Sequence, residues 1–156
     1  MKEIKYILLL ALCSSFMLNA QEFAINDDGI LLADNVPYSG EKSEYFDNGM
    51  VKKEMSFKKG KLNGKVSSYY NSGELKEEGS YVNGEKNGKW IRYTKTGEKI
   101  GKAEWSNGMK DGTWHIFDEK GVKRYEMFYK NGEKTNTWTI WNEEGKVVSQ
   151  KVYGTK

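Results

Sequence analysis

Glycine recurs along this chain at a fixed spacing of 24 residues, and this period limits the possible folds more than any other feature. An internal period of about 20 to 50 residues is the signature of a repeat protein. Thirteen of the 17 glycines fall into three columns: Gly40, Gly64, Gly88 and Gly112; Gly49, Gly73, Gly97, Gly121 and Gly145; and Gly60, Gly84, Gly108 and Gly132. Two aromatic columns keep the same period: Tyr45, Tyr69, Tyr93, Phe117 and Trp141; and Phe57, Tyr81, Trp105, Tyr129 and Tyr153.

The period divides the chain into five units without insertions: 39–62, 63–86, 87–110, 111–134 and 135–156. Each unit holds two short runs rich in aromatic and β-branched residues, and neither run reaches the length of a helix. In the second unit, residues 65–70 are predicted to form one strand, 71–74 a turn and 75–81 the return strand. Because tight hairpin turns need a positive φ, we assign all thirteen column glycines to turns. The predicted fold is all-β, an elongated single-layer antiparallel meander of stacked β-hairpins.

The segment that joins one hairpin to the next is predicted to be longer and more exposed, since residues 82–88 contain two Asn-Gly pairs around a charged tip. Folding this segment back places one apolar residue opposite another at each junction. The predicted pairs are Phe57 with Val66, Tyr81 with Trp90, Trp105 with Trp114, and Tyr129 with Trp138. Trp90 and Tyr93 are an odd number of residues apart, so either both faces of the sheet carry rings or a bulge turns one of them.

Both ends of the array depart from the repeat. The last unit has Asn136 where the others have glycine, and we interpret it as a cap, because terminal repeats have no outer neighbour. Residues 21–38 contain the aliphatic run Ile30 to Ala33 and the only proline, Pro37. We predict that this segment is a leader strand and N-terminal cap that covers the first edge.

The first 20 residues have the order of a secretory signal peptide: Lys2 and Lys5 precede an apolar stretch from Tyr6 to Leu18, and cleavage is predicted after Ala20. A retained membrane anchor and a lipoprotein start at Cys13 are the alternatives. The apolar stretch is shorter than the roughly 20 residues that span a bilayer. The protein is therefore predicted to be exported, and its destination is the periplasm, the cell surface or the medium.

The composition of residues 21–156 excludes several classes of function. This part of the chain has no cysteine, 23 basic residues and 21 acidic residues, spread evenly along its length. A net charge of +2 does not provide the basic patch of a nucleic-acid-binding protein. Of its 44 apolar residues, 19 are aromatic, which favours a thin sheet tiled with rings over a thick aliphatic core.

Candidate catalytic groups are few. The single histidine, His115, shares its column with Ser67, Ile91 and Thr139, so we interpret it as a structural or surface residue. Glu54, Glu78 and Glu126 share another column, but a catalytic carboxylate pair needs two different environments, and a repeated surface gives them the same one. The glycine-rich segment 83–88 lacks the strand-loop-helix setting of a phosphate site. We predict no enzymatic activity, no metal and no cofactor.

The aromatic residues are the best candidates for function, because a single-layer sheet cannot bury both of its faces and an exposed aromatic patch marks an interaction site. The alternative is that the rings only pack the sheet. The candidate binding residues are Trp90, Tyr93, Trp105, Trp114, Phe117, Tyr129, Trp138 and Trp141.

The pattern G-K-W-x-x-Y, then G, then an aromatic residue followed by x-N-G, resembles the bacterial MORN repeat variant. The resemblance covers residues 39–156, and the third unit, NGKWIRYTKTGEKIGKAEWSNGMK, is the nearest copy. Proteins with this layout are often labelled YwqK-type toxin-antitoxin system antitoxins, so the resemblance also implies an antitoxin-like role. The resulting hypothesis is an exported, non-enzymatic module that binds a protein partner. A glycan or cell-wall binder and a membrane-surface scaffold are the alternatives.

Overall fold

The computed structural model describes residues 21–154, and every regular element in this range is a β-strand. The strands form an open antiparallel meander of hairpins, which confirms the predicted fold class. The predicted signal peptide, residues 1–20, lies outside the described residues. None of the described residues belongs to a helix that could span a membrane.

Two sheets contain the strands. The first has three short strands, β1 (Phe23–Ile25), β2 (Leu31–Ala33) and β3 (Val36–Pro37). The second has eleven: β4 (Gly40–Tyr45), β5 (Val51–Lys58), β6 (Lys61–Tyr69), β7 (Leu75–Val82), β8 (Glu85–Tyr93), β9 (Lys99–Ser106), β10 (Met109–Lys110), β11 (Gly112–Phe117), β12 (Lys123–Lys130), β13 (Glu133–Trp141) and β14 (Val147–Tyr153). Within each sheet, strands that are consecutive in the chain pair with each other. The exception is β10 and β11, which both pair with β9 and together occupy the place of one strand.

The turn within each unit forms as predicted. In the second unit the N–H of Tyr70 donates to the carbonyl of Glu74 at 2.8 Å, and the N–H of Gly73 donates to the carbonyl of Tyr70 at 2.9 Å. Gly73 has a φ of 100°, which explains the glycine at this place. The same pair of main-chain hydrogen bonds closes the corresponding turns of the other four units.

The turn between units is tighter than predicted. β7 ends at Val82 and β8 begins at Glu85, so Asn83 and Gly84 alone form the turn, with φ of 51° and 91°. Two positive φ values in a two-residue loop define the type I′ turn, whose twist matches that of the strands it joins. The predicted longer connection over residues 82–88 is therefore wrong, because one Asn-Gly pair is enough to reverse the chain.

One column of glycines lies in strands instead of turns. Gly64 and Gly88 are within β6 and β8, and Gly40 and Gly112 begin β4 and β11. All four have a positive φ, so the predicted backbone conformation is right and the predicted place is wrong. Beside Gly88 the ladder between β7 and β8 is interrupted: Ser80 faces Asn87, whereas Glu78 faces Ile91. The bulge needs a residue that tolerates a positive φ; glycine occupies this place in four units, and Asn136, with a φ of 55°, occupies it in the fifth.

The bulge also changes the predicted register. Tyr81 lies opposite Lys86 instead of Trp90, although the bulge brings the rings of Tyr81 and Trp90 to 5.3 Å between centroids. The ring pairs at the next two junctions also touch, each at 5.1 Å: Trp105 with Trp114, and Tyr129 with Trp138. At the first junction Phe57 faces Leu62, and Val66 faces Met55 instead of Phe57. The predicted aromatic contacts are thus correct, and the four strand pairings are not.

The three-stranded sheet covers the turn end of the first unit. Leu31 and Ala33 of β2 are both 7% exposed. The N–H of Leu31 donates to the carbonyl of Gly60 at 2.9 Å, and the N–H of Gly60 donates to that of Tyr38 at 2.7 Å. Ile30 would collide with a Cβ at Gly60, so glycine allows this close approach.

Candidate interaction site

The two faces of the large sheet carry different side chains. Trp90 pairs with Ala103, and the next residue, Ile91, pairs with Lys102. Successive residues of a strand point to opposite faces, so these two pairs mark the two sides. We call the side of Trp90 the ladder face and the side of Ile91 the opposite face.

A continuous run of five rings crosses the ladder face. Trp105, Trp114, Tyr129, Trp138 and Tyr153 follow one another with centroids 4.8 to 5.4 Å apart and planes tilted by 52 to 59°. Aromatic pairs at such distances contribute about 0.5–1.5 kcal/mol each beyond the area that they bury. The ladder is a packing element, in which Tyr129 is 9% exposed and the other four rings are half-buried, so each of those four still presents part of its surface to solvent.

The tryptophan that follows each bulge is fixed by its indole N–H. Trp90 donates to the carbonyl of Ser80 at 3.3 Å, Trp114 to that of Glu104 at 2.9 Å, and Trp138 to that of Phe128 at 3.1 Å. Each bond runs to the residue ten places earlier, on the preceding strand. These three rings consequently lean toward the preceding strand, and Trp90 is only 5% exposed.

A row of lysines lies over the ladder. Lys86, Lys110 and Lys134 recur every 24 residues, and their ammonium groups lie 3.8, 4.5 and 4.7 Å from the ring centroids of Trp90, Trp114 and Trp138. At this distance a cation is attracted to the π face of the ring. The ladder face therefore presents apolar rings and positive charge side by side.

A groove interrupts the ladder face above β9. Gly101 and Ala103 form its floor, because their side chains are small. The corresponding residues on β12, Tyr125 and Met127, carry larger side chains. Trp90, Arg92, Trp105, Trp114 and Ile116 line its sides on this face, and the cavity has a volume of about 450 Å³. A Cβ at Gly101 would meet only Arg92, at 3.6 Å, so a small side chain would fit there.

The other three candidate binding residues lie on the opposite face. Tyr93 donates its hydroxyl to Glu78 at 2.8 Å, and Glu78 faces Ile91. The ring of Phe117 lies 5.9 Å from that of His115, on the side away from Trp114. Trp141 lies under Lys123, which bonds the opposite-face residue Glu126. Of the eight predicted residues, the structure thus brings five together and separates Tyr93, Phe117 and Trp141, so both faces carry rings.

The carboxylates of the opposite face are engaged as hydrogen-bond acceptors. Glu54 accepts the hydroxyl of Tyr69 at 2.6 Å, and Glu126 is 2.8 Å from both His115 Nε2 and Lys123 Nζ. The hydrogen bond from Lys123 lowers the pKa of Glu126, and His115 acts in the same direction. The hydrogen bond to Glu54 raises the pKa of Tyr69. These contacts give each of these groups a structural role.

Metal binding finds no support in this part of the protein. Across residues 21–154, no group of three or more histidine, cysteine, aspartate or glutamate side chains could hold a metal ion. Glu126 and His115 are in hydrogen-bond contact, but no third side chain of these types joins them within the described range to form such a group.

Some residues of the site were missed by sequence reasoning. Gly101 lies outside the glycine columns. Other units have Lys53, Glu77 and Tyr125 at its place, and this loss of a side chain was the available signal for a groove. The lysine column at 86, 110 and 134 is equally periodic, but its position over the rings depends on the bulge.

The fold and the site together define a repeat protein with a continuous aromatic ladder along one face of an open sheet. Three stretches of the chain, residues 38–59, 62–83 and 110–131, match the model of the MORN repeat variant family. Their first residues are 24 and 48 residues apart, in agreement with the period. MORN repeats are generally interaction or binding modules, and they are typically non-enzymatic. A comparison with curated proteins found no match.

Proposed function

We propose that this chain is a non-enzymatic interaction module that binds a protein partner through its ladder face. The observation that carries the proposal is the uninterrupted run of five rings beside a groove of about 450 Å³. Aromatic anchors that meet a partner in well-packed pockets supply most of the binding energy at protein interfaces. A groove bordered by three indoles offers such a pocket to one apolar side chain or short extended segment.

The charges of the ladder face indicate the chemistry of the partner. Lys86, Lys110 and Lys134 lie over the rings, and Arg92 borders the groove, where it pairs with Glu77 at 3.5 Å. A partner surface that combines acidic and apolar residues would neutralise the lysines while it covers the rings. Association should therefore weaken as salt is added.

The same contacts favour a protein over a glycan. A sugar stacks on the open π face of a ring, but here ammonium groups lie over Trp90, Trp114 and Trp138, and Trp90 is nearly buried. The net charge of +2 over residues 21–156 gives little attraction to an anionic membrane.

The predicted signal peptide extends the proposal to a compartment. If residues 1–20 direct export, the partner is an envelope or extracellular protein. The narrowest form of the proposal is an antitoxin-like or immunity-like role, in which the module neutralises a secreted toxin by covering it. This form rests on the leader and on the family resemblance, and it makes the partner itself a toxic protein.

The test fills the groove without disturbing the rings. Gly101→Leu should keep the fold, because Gly101 has no positive φ and a Cβ there has space. The wild-type protein and this variant would each capture partners from the envelope fraction of the source organism, and quantitative mass spectrometry would compare the two. Thr113→Leu, on the opposite face of β11, is the matched control.

We expect one protein to be enriched by the wild type and by the control, and lost at least tenfold with Gly101→Leu. Equal capture by all three proteins would overturn the proposed site. Recovery of peptidoglycan alone, with no enriched protein, would support the glycan alternative instead.

A further inference from the structure

The last strand of the large sheet has an outer edge that no described strand pairs. β14 contributes seven residues, VVSQKVY, and its inner edge pairs with β13. Val147, Val148 and Val152 are 52%, 59% and 76% exposed. An open strand edge with exposed apolar side chains is a template for another strand, and proteins usually protect such edges with charge.

Val148 and Val152 differ from most of the residues at the same places in the earlier units. In both columns of opposite-face valines, three of the four earlier units have a charged or polar residue. The residues at the place of Val148 are Lys52, Lys76, Ile100 and Arg124, and those at the place of Val152 are Ser56, Ser80, Glu104 and Phe128. The strand at the other end of the sheet, β4, has the protected sequence GEKSEY. The two edges are thus unlike, and only β14 is suited to pairing.

Head-to-tail growth of the sheet is disfavoured by charge. One column of the repeat consists of Met55, Gly79, Ala103, Met127 and Lys151. At each internal junction an apolar residue of the next unit covers the member of this column: Val66 faces Met55, for example, and Trp90 lies over Gly79. If β4 of a second copy continued the repeat, its Lys42 would take this covering position over Lys151. Two like charges would then meet where every other junction is apolar.

Twofold pairing of β14 with itself has no such conflict. With Gln150 of each copy opposite the other, Val148 faces Val152, Ser149 faces Lys151, and Val147 faces Tyr153, each pair occurring twice. A shift by two residues in one direction sets the two Lys151 side chains opposite each other, and a shift in the other direction sets Val152 opposite Lys146. Only the central register pairs the valines and separates the lysines.

We propose that the protein forms a twofold-symmetric dimer by antiparallel pairing of β14 in this register. A closed, isologous contact of this kind joins two sheets into one and uses up both edges. The twofold axis lies perpendicular to the sheet, so the ladder faces of both copies lie on the same side. The inference goes beyond the proposed partner site, since the variants that test it leave the groove and the five rings unchanged.

The interface is small, so the dimer should be concentration-dependent. One pair of seven-residue strands buries less than about 1,200 Å², the lower limit of a standard interface, and we expect a dissociation constant on the order of 10 μM. Sedimentation velocity of the purified full chain across this range should show a monomer that converts to a dimer. Monomer at every concentration, or growth into larger filaments, would overturn the proposal.

Charge exchange tests the register. The double variants V148K/V152K and V148E/V152E should each lose dimerisation at least tenfold, and an equimolar mixture should regain it, because each lysine then faces a glutamate. Regained association also shows that both variants are folded. Val36→Lys is the matched control, since Val36 is 64% exposed in the other cap and should leave the dimer unchanged. A mixture that stays monomeric would overturn the pairing.

The direction of the strands is tested by crosslinking in a Cys13→Ser background. Gln150→Cys places the two cysteines opposite each other and should give a disulfide-linked dimer on mild oxidation. Val148→Cys places each cysteine opposite Val152 of the other copy and should crosslink at least tenfold more slowly. Efficient crosslinking by both variants would indicate parallel pairing and overturn the antiparallel geometry.

Discussion

The indole N–H of Trp114 donates a hydrogen bond to the main-chain carbonyl of Glu104 at 2.9 Å, and the N–H of Asp111 donates to the same oxygen at 3.1 Å. The carbonyl of Glu104 therefore fixes both the main chain between β10 and β11 and the ring of Trp114. The indole bond has counterparts at Trp90 and Trp138, so the bulge and the ladder form one repeated structural unit.

Trp114→Phe should destabilise the protein by about 1–2 kcal/mol, because it removes a donated hydrogen bond and shrinks a ring that touches two neighbours. Urea denaturation followed by circular dichroism would measure the free energy of unfolding. Trp141→Phe is the control, since the indole of Trp141 makes no hydrogen bond within residues 21–154. Equal losses in both variants would contradict a role for the bond.

Two glycines outside the columns should respond in opposite ways to alanine. A Cβ at Gly79 would lie 2.2 Å from the ring of Trp90, whereas a Cβ at Gly101 meets nothing closer than 3.6 Å. Gly79→Ala should cost about 1–3 kcal/mol through overpacking. Gly101→Ala should stabilise by about 0.5 kcal/mol, since it restricts the unfolded chain. Thermal unfolding would compare them, and a costly Gly101→Ala would argue against an open groove floor.

The first type I′ turn is the least suited to its backbone. Lys59 has a φ of 51°, where the later turns use Asn83, Asn107 and Asn131. Asparagine tolerates the left-handed conformation better than lysine, so Lys59→Asn should stabilise by about 0.5–1 kcal/mol. Asn107→Lys should lose a similar amount. If denaturant midpoints move in the same direction for both variants, the backbone explanation is wrong.

The contribution of Glu126 should depend on pH. Its pKa is lowered in the folded protein, first by the hydrogen bond from Lys123 and then by His115, so the ionised form favours folding. This stability is present above the unfolded pKa, near 4.5, and is lost as the pH falls through the lower folded pKa. Glu126→Gln should therefore cost more at pH 7 than at pH 3 in denaturant titrations. An equal cost at both values would contradict the ion pair.

Salt should distinguish the two proposed associations. Partner binding at the ladder face involves lysines and should weaken as salt rises, whereas β14 pairing places valines opposite each other and should change little. Binding assays and sedimentation at about 0.05 and 0.5 M salt, below and above physiological ionic strength, would compare the two associations. Strong salt dependence of the dimer would argue against apolar pairing of Val148 and Val152.

The repeat could be predicted because it depends on local chemistry. A positive φ at Gly73 or Gly84 requires glycine wherever the unit occurs, so the period, the hairpins and the backbone conformation follow from the letters. The contact between Trp105 and Trp114 also follows, since residues that flank a reversal end close together on neighbouring strands.

Only the tertiary structure decided the register of neighbouring strands and, with it, which side chains meet on each face of the sheet. A period of 24 is the same whether Asn87-Gly88 lies in a turn or in a strand, so the sequence alone could not place the bulge. The bulge brings the ring of Trp90 against that of Tyr81 and leaves Lys86 over the Trp90 ring. These features depend on which residues meet across strands, which is a property of the assembled sheet.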